Sequence, residues 1–428
     1  MVGNIVAAAL GLVLVSAHSH AQESPPRPVR DAMAELRARP HAEDEVWREL
    51  SGRGLPLIDR QIAGPGRTRL TFLYRAESGT ERVRLDSVLN APYARQPVED
   101  YERDFVLDMT RLPGSRIWTI SIDVPDDVRA NYSFRLERAG RSLWRPDPHA
   151  RLTLRGGEAE SVVVLAPSTL DGVLPLGPPS YTDASRTSGA SQVMNSPALN
   201  RSVWLDIHAH PDGGADAPVL VLWDAFLWGT RAPAVDILDR MERQGLIPPT
   251  HLVLIDQLDP DSAALAYADQ SAFIADDLVP LLRDSLGWQM NPDQLLLGGA
   301  SRRGLAAARV ALDHPAMVGG VMSLSGSFYW APSGEEMEWL SRQIDPAGPD
   351  TPHYILAAGT LETMQTSTNR GHVMLEANRN MQAALTQAGY ESTLLVYSGG
   401  HDLTGWQSAL AQALALYFAE STDAVPGD

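Results

Sequence analysis

From residue 201 onward, short apolar runs alternate with amphipathic stretches, and this alternation limits the fold more than any other feature. Residues 202–208, 217–223, 251–256, 294–298, 319–325, 353–358 and roughly 392–397 read as strands; 233–244, 270–286, 304–313, 369–388 and 405–418 read as helices. Runs such as Val219-Leu-Val-Leu and Leu295-Leu-Leu are apolar at every position, as strands buried on both faces must be. Parallel strands need crossover connections, so the pattern predicts a mostly parallel sheet with helices on both faces. A functional site then belongs beyond the C-terminal ends of the strands.

The first half has a different texture. Residues 5–15 form an apolar run too short to span a membrane, and Ser19-His-Ala21 offers a cleavage site, so 1–21 are expected to be a signal peptide and the protein periplasmic or secreted. Residues 22–66 read as a Pro-rich linker followed by a short helix at 42–52. Alternating polar and apolar residues at 67–74, 82–89, 103–108, 115–123 and 131–137 predict a β-sandwich domain over 67–165. A linker rich in Pro, Gly, Ser and Thr is expected at 166–200, a catalytic domain at 201–420 and a tail at 421–428.

Charge and cysteine narrow the function. Of the 428 residues none is Cys, which excludes disulfides, thiolate metal sites and a cysteine nucleophile. Residues 1–160 are charge-balanced, and the net charge of −18 falls entirely on 161–428. Nucleic acid is therefore not an expected partner, and the acidic half opposes an anionic ligand. No later run reaches 18 apolar residues, so no stable membrane insertion is expected.

The sharpest local signal is Leu295-Leu-Leu-Gly-Gly-Ala-Ser-Arg-Arg-Gly304. A buried strand, a tight turn with Ser301 at its tip and a following helix form a nucleophile elbow. Gly299 meets the need for a small residue two before the serine; Arg303 does not meet it two after, and the glycine comes at 304. An α/β-hydrolase places an acid and then a histidine after the serine. Glu362 follows the strand at 353–358 and His401 follows the next, so Ser301, His401 and Glu362 fit as nucleophile, base and orienting acid. The N–H groups of Arg302 and Phe226, with Ala225 as a neighbouring option, are the expected oxyanion donors. A structural serine at a helix start is the competing reading. Trp223, Trp228, Trp330 and Trp406 fall at loop ends on the site side; Trp228, Trp330 and Trp406, with Arg303, are the expected substrate contacts. His208-Ala-His-Pro-Asp212 and Asp256/Asp259/Asp261 read as strand-end loops rather than metal sites, and His372 is a rival base. No metal or cofactor is expected.

At this point residues from about 42 to 420 resemble the enterochelin (enterobactin) esterase family. The resemblance is carried by Trp47 through Gly54-Leu-Pro-Leu-Ile, Pro146-Asp-Pro, Trp223-Asp-Ala-Phe-Leu-Trp228, Leu254-Ile-Asp-Gln-Leu-Asp259, Ser325-Gly-Ser-Phe-Tyr-Trp330 and Gly399-Gly-His-Asp402 with Trp406. It implies an immunoglobulin-like sandwich followed by an α/β-hydrolase domain, with the catalytic serine, histidine and acid on Ser301, His401 and Glu362. It also implies a small-molecule ester substrate, a ferric or iron-free catecholate siderophore. This chain departs from the family pattern at Arg303, where a Gly is usual, at Ala263 and Ala266, where Arg and Glu are usual, and at Gln407, where Arg is usual. A feruloyl- or acetyl-type carbohydrate esterase and a degenerate ligand-binding homologue are the alternatives. Oligomeric state is not legible.

Overall fold

The computed structural model describes residues 25–61, 63–154, 160–177, 190–257, 267–348 and 351–423. The expected signal peptide, the end of the tail, Asp259, Asp261, Ala263 and Ala266 lie outside the described residues.

Eight strands of the C-terminal half form one sheet: β1 (Ala190–Ser196), β2 (Arg201–His208), β3 (Val219–Trp223), β4 (His251–Gln257), β5 (Leu295–Ala300), β6 (Gly320–Leu324), β7 (His353–Gly359) and β8 (Ser392–Tyr397). Their order is β1-β2-β4-β3-β5-β6-β7-β8, antiparallel at the first two pairings and parallel from β4 to β8. Helices α1 (Ala234–Arg243), α2 (Arg302–Asp313), α3 (Met374–Ala388) and α4 (Leu403–Asp423) cover it, together with the helical stretch 267–286.

Period-two alternation sorts the strand side chains onto two faces. Val219, Val221, Leu297 and Leu356 meet Leu305 and Ala308 of α2 and Met381 of α3. Leu220, Leu222, Leu296 and Ile355 meet Ile237 and Met241 of α1 and Leu410 and Leu414 of α4. The uninterrupted apolar runs follow from this, because a strand covered on both faces has no solvent side. This is an α/β-hydrolase-type fold.

The N-terminal half holds two further sheets. Arg67–Arg75 pairs along its whole length with Ile117–Pro125, flanked by Leu57–Asp59 and Thr110–Arg111. The second sheet is built around Thr80–Ser87, Arg129–Arg138 and Glu160–Val164. Leu70, Phe72, Ile120 and Ile122 of the first share one core with Val83, Leu85, Tyr132 and Phe134 of the second.

Three expectations need correction. The Pro-rich linker contains a helix, Arg27–Ala38; its Pro lies in the first turn, where no N–H is needed, and Val29 and Leu36 pack against Leu50 and Leu73. The expected linker at 166–200 contributes β1, an edge strand exposed along most of its length, which explains its weak apolar signal. Within 103–108, Tyr101–Asp104 is a helical turn capped by Asp100, and only Leu107–Asp108 is strand.

Trp228 is a fourth correction. Its side chain is 0% exposed, among Leu222, Leu254 and Ile237 in the core layer beneath α1, so it does not contact substrate. It packs the turn that follows β3. Trp228→Ala is expected to lower unfolding stability by about 3–5 kcal/mol, read by denaturant titration.

Candidate active site

Three neighbouring parallel strands each end on a non-glycine residue with left-handed backbone: Asp224 after β3 (φ 80°), Ser301 after β5 (φ 58°) and Ser325 after β6 (φ 50°). Such residues cost about 1–3 kcal/mol each and persist only where the surroundings impose them. At Ser301 the imposing contacts are backbone ones. Its N–H donates to the Leu324 carbonyl at 2.8 Å, and its own carbonyl accepts from Ser327 N–H at 3.1 Å. Helix α2 begins immediately afterwards with Ser301 as its N-cap, yet the hydroxyl makes no capping bond. It lies 3.3 Å from Ser327 Oγ and lines a cavity of about 250 Å³.

The close contacts of the elbow explain why Arg303 is tolerated. A Cβ on Gly304 would lie 2.6 Å from Ser323 Oγ and 2.9 Å from the Gly299 carbonyl oxygen. A Cβ on Gly299 would lie 2.6 Å from Arg303 Cβ. The second tight position is therefore 304, and the missing side chain at 299 leaves the room that Arg303 uses. Arg303 itself is not among the residues lining the cavity.

Glu362 and His401 come from the turns after β7 and β8, which pair in parallel up to Gly359↔Tyr397. His401 Nδ1 and Glu362 Oε1 are 2.6 Å apart, and Glu362 Oε2 accepts the Gly359 N–H at 2.7 Å. The Glu362 side chain is 1% exposed and that of His401 37%, so the acid is sealed while the imidazole reaches the cavity that Ser301 lines. A Cβ on Gly359 would collide with the Gly399 carbonyl, and one on Gly399 would lie 2.7 Å from the Arg129 carbonyl oxygen. Only glycine lets these two turns and the N-terminal sheet approach so closely.

Asp402, adjacent to His401, points elsewhere. Its oxygens accept the N–H groups of Asn131 (3.0 Å) and Gly405 (2.8 Å). Asn131 also accepts from Thr404 N–H and Oγ1 and donates to Glu160, which pairs with Arg231. This buried network joins the N-terminal sheet to the loop carrying His401. Burial pushes the Asp402 carboxyl up to about 7; the carboxylates of Glu160 and Glu362 act in the same direction, and the two backbone N–H groups oppose them.

The oxyanion candidates occupy suitable backbone positions. Arg302 opens α2, and Ala225 and Phe226 begin the helical turn after β3, the strand beside β5. First-turn N–H groups have no partner within their own helix. The Arg302 and Phe226 side chains are exposed and do not line the cavity. Neither do Trp330 and Trp406: Trp330 packs edge-on to Trp339, and Trp406 stands edge-on to His401 at 4.9 Å while donating to Ser325 Oγ. Trp406 packs against the imidazole and is not part of the cavity wall. Trp223 is buried and donates to Gln270. His372 pairs with Glu338 at 2.7 Å and does not line the cavity. His208 lies 3.2 Å from Asp206, and His210 2.8 Å from Glu242, so the two histidines face different partners.

Sequence reasoning missed Tyr101, Phe105, Tyr329 and Met364, all of which line the cavity. The i, i+4 spacing of Tyr101 and Phe105 was the available signal. These two come from the N-terminal half, held there where Val98 N–H donates to the Gln365 carbonyl at 2.7 Å.

A family model described as "Putative esterase" matches residues 196–417. The chain is 26% identical to the iron(III) enterobactin esterase of Dickeya dadantii (strain 3937), over 88% of this chain and 94% of that one. It is 24% identical to the iron(III) salmochelin esterase of Escherichia coli O6:H1, over 87% and 93%. The crystal structure of the enterobactin esterase from Shigella flexneri, determined in the presence of enterobactin, superposes with a TM-score of 0.69 at 21% identity, over 89% of this chain and 99% of that one. It shares the fold.

An acid whose pKa is raised on folding binds its proton more tightly in the folded state. Through Asp402, folding stability is therefore fullest below its unfolded value near 3.8 and falls as pH rises towards about 7. The melting temperature of Asp402→Asn is expected to vary less between those pH values than that of the parent protein, measured by calorimetry across the window.

Proposed function

Because the chain belongs to the Esterase family and is an enzyme that hydrolyses ester bonds, we propose that it is a serine esterase working through Ser301, His401 and Glu362 on esters of the catecholate-siderophore type. The observation that carries this reading is the 2.6 Å Glu362–His401 pair beside a strained Ser301 on one cavity. The relatives that act on iron(III) enterobactin and iron(III) salmochelin support the substrate type.

In this mechanism Ser301 Oγ attacks the ester carbonyl carbon while His401 Nε2 takes the hydroxyl proton. Glu362 holds Nδ1–H, which fixes the tautomer and stabilises the imidazolium. The oxyanion of the tetrahedral intermediate accepts from the N–H groups of Arg302 and Phe226 at two helix starts, where the dipole ends add to the field. Collapse breaks the bond to the alcohol oxygen, and His401 Nε2 returns the proton to that oxygen. Water then repeats the sequence on the acyl-enzyme and releases Ser301. The two N-terminal sheets are read as an immunoglobulin-like sandwich, and residues 1–21 as the signal for a periplasmic or secreted location.

Ser301→Ala is expected to lower the hydrolysis rate of a p-nitrophenyl ester by roughly 10⁴–10⁶-fold. Glu362→Gln should lower kcat by roughly 10²–10⁴-fold with little change in KM, because its role is exerted on the imidazolium formed in the transition state. Steady-state kinetics on the two variants, with circular dichroism as the folding control, provide the check. A Ser301→Ala enzyme that kept most of its activity would overturn the assignment.

A further inference from the structure

We propose that Tyr397, Ser325 and Trp406 are positioning residues for His401, joined in one directed chain of hydrogen bonds that fixes the backbone from which the imidazole projects. This rests on the reading of His401 as the base of a serine esterase and goes beyond it, because none of the three lines the cavity.

Among the described residues the His401 ring has one hydrogen-bond partner, Glu362 at Nδ1. A single bond fixes one point of the ring and leaves it free to swing about that point, whereas a base has to keep its other nitrogen within reach of the nucleophile. The backbone supplies the missing restraint. His401 is the central residue of a γ-turn, in which Asp402 N–H donates to the Gly400 carbonyl at 2.9 Å. The Tyr397 hydroxyl donates to the same carbonyl at 3.0 Å. The Tyr397 ring lies between two glycines that flank the histidine. A Cβ on Gly405 would stand 2.6 Å from its Cε2, and one on Gly399 3.1 Å from its Cδ2. The loop carrying His401 is thus folded around this ring at the end of β8.

Proton counting gives the chain its direction. Ser325 Oγ lies 3.1 Å from the Tyr397 hydroxyl oxygen and 3.0 Å from Trp406 Nε1. An indole N–H only donates, and each hydroxyl carries one proton. Tyr397 directs its proton to Gly400, so Ser325 donates to Tyr397 and accepts from Trp406. The run Trp406 to Ser325 to Tyr397 to Gly400 uses every proton it holds. Its first ring stands edge-on to the imidazole, 4.9 Å away at 84°, and its last acceptor belongs to the residue before His401. The base is therefore gripped at its side chain and at its backbone by one set of bonds. Ser325 occupies the middle of that set, 0% exposed and with left-handed backbone at φ 50°. It follows β6 and Tyr397 ends β8, so its hydroxyl reaches across the end of β7, where its own N–H donates to the Ala357 carbonyl at 2.7 Å. Backbone strain of this kind persists only where the surroundings hold it in place, and here it sets the hydroxyl between two partners.

The test is a double-mutant cycle on p-nitrophenyl ester hydrolysis, with thermal melts by circular dichroism as the folding control. Tyr397→Phe keeps the ring and removes the bond to Gly400; Ser325→Ala removes the link to both neighbours. Each is expected to lower kcat by roughly 10–100-fold and to leave KM within about twofold, since a misplaced base slows the chemical step without altering the cavity wall. The double variant is expected to lie within about twofold of the slower single one, because both substitutions cut the same chain. An unchanged kcat in either single variant, a loss carried by KM, or losses that multiply in the double variant overturns the proposal. Should Ser325→Ala fail to fold, Trp406→Phe, which keeps a ring beside His401 and removes the N–H, takes its place in the cycle. His401→Ala separates the two levels. If it keeps most of its activity, the serine-esterase reading falls; if it is inactive while Tyr397→Phe matches the parent, this inference alone falls.

Discussion

The close approach of Gly359, Gly399 and the Arg129 carbonyl is the constraint on which the site depends. Parallel pairing of β7 with β8 brings two turns to one edge of the sheet, but it does not by itself set an imidazole against a carboxylate. The last ångström or two comes from backbone lying on backbone without a side chain between. Gly359 also donates its N–H to Glu362, so the residue that permits the approach orients the acid as well. The N-terminal sheet closes the arrangement from outside through Arg129 N–H, which donates to the Ser398 carbonyl at 2.9 Å. The histidine loop is thereby held between two β layers.

What the sequence discloses, and what it conceals, follows from this division. The placement of Ser301, Glu362 and His401 on one edge of the sheet was legible because each follows an apolar strand within a few residues, and a strand end needs no tertiary information to locate. The helix-and-strand alternation after residue 201 was legible for the same reason. Trp228 was not: loop-end position says nothing about which side of a helical turn a ring occupies, and here it turns into the core. Tyr101 and Phe105 were concealed twice. Phe105 fell in the run 103–108, which alternated enough to resemble a strand, and the place of both rings at the cavity depends on the Val98–Gln365 contact between distant parts of the chain. The two glycines of the elbow show a subtler failure. A motif read by position assigns the tight contact to residue 303, whereas the geometry assigns it to 304.

Asp402 shows how one dipeptide divides two tasks. His401 turns toward Glu362 and the cavity, while its neighbour turns inward to Asn131 and Gly405. Adjacent side chains diverge, so a buried carboxylate can anchor the loop without competing for Nδ1. Its network with Thr404, Glu160 and Arg231 is polar throughout, and a buried polar network of this kind fixes geometry more stringently than apolar packing would.

The shared cavity wall has an evolutionary consequence. Tyr101 and Phe105 come from a helical turn of the N-terminal half, whereas Ser301, Glu362 and His401 follow strands of the large sheet. The residues proposed for bond cleavage and part of the cavity wall that faces them are thus encoded in separate stretches of the gene. Drift or recombination in the first stretch can retune which ester is accepted while the machinery that cuts it stays intact. A descendant could change diet without relearning chemistry, and its pedigree would then be read more faithfully from the second half than its substrate.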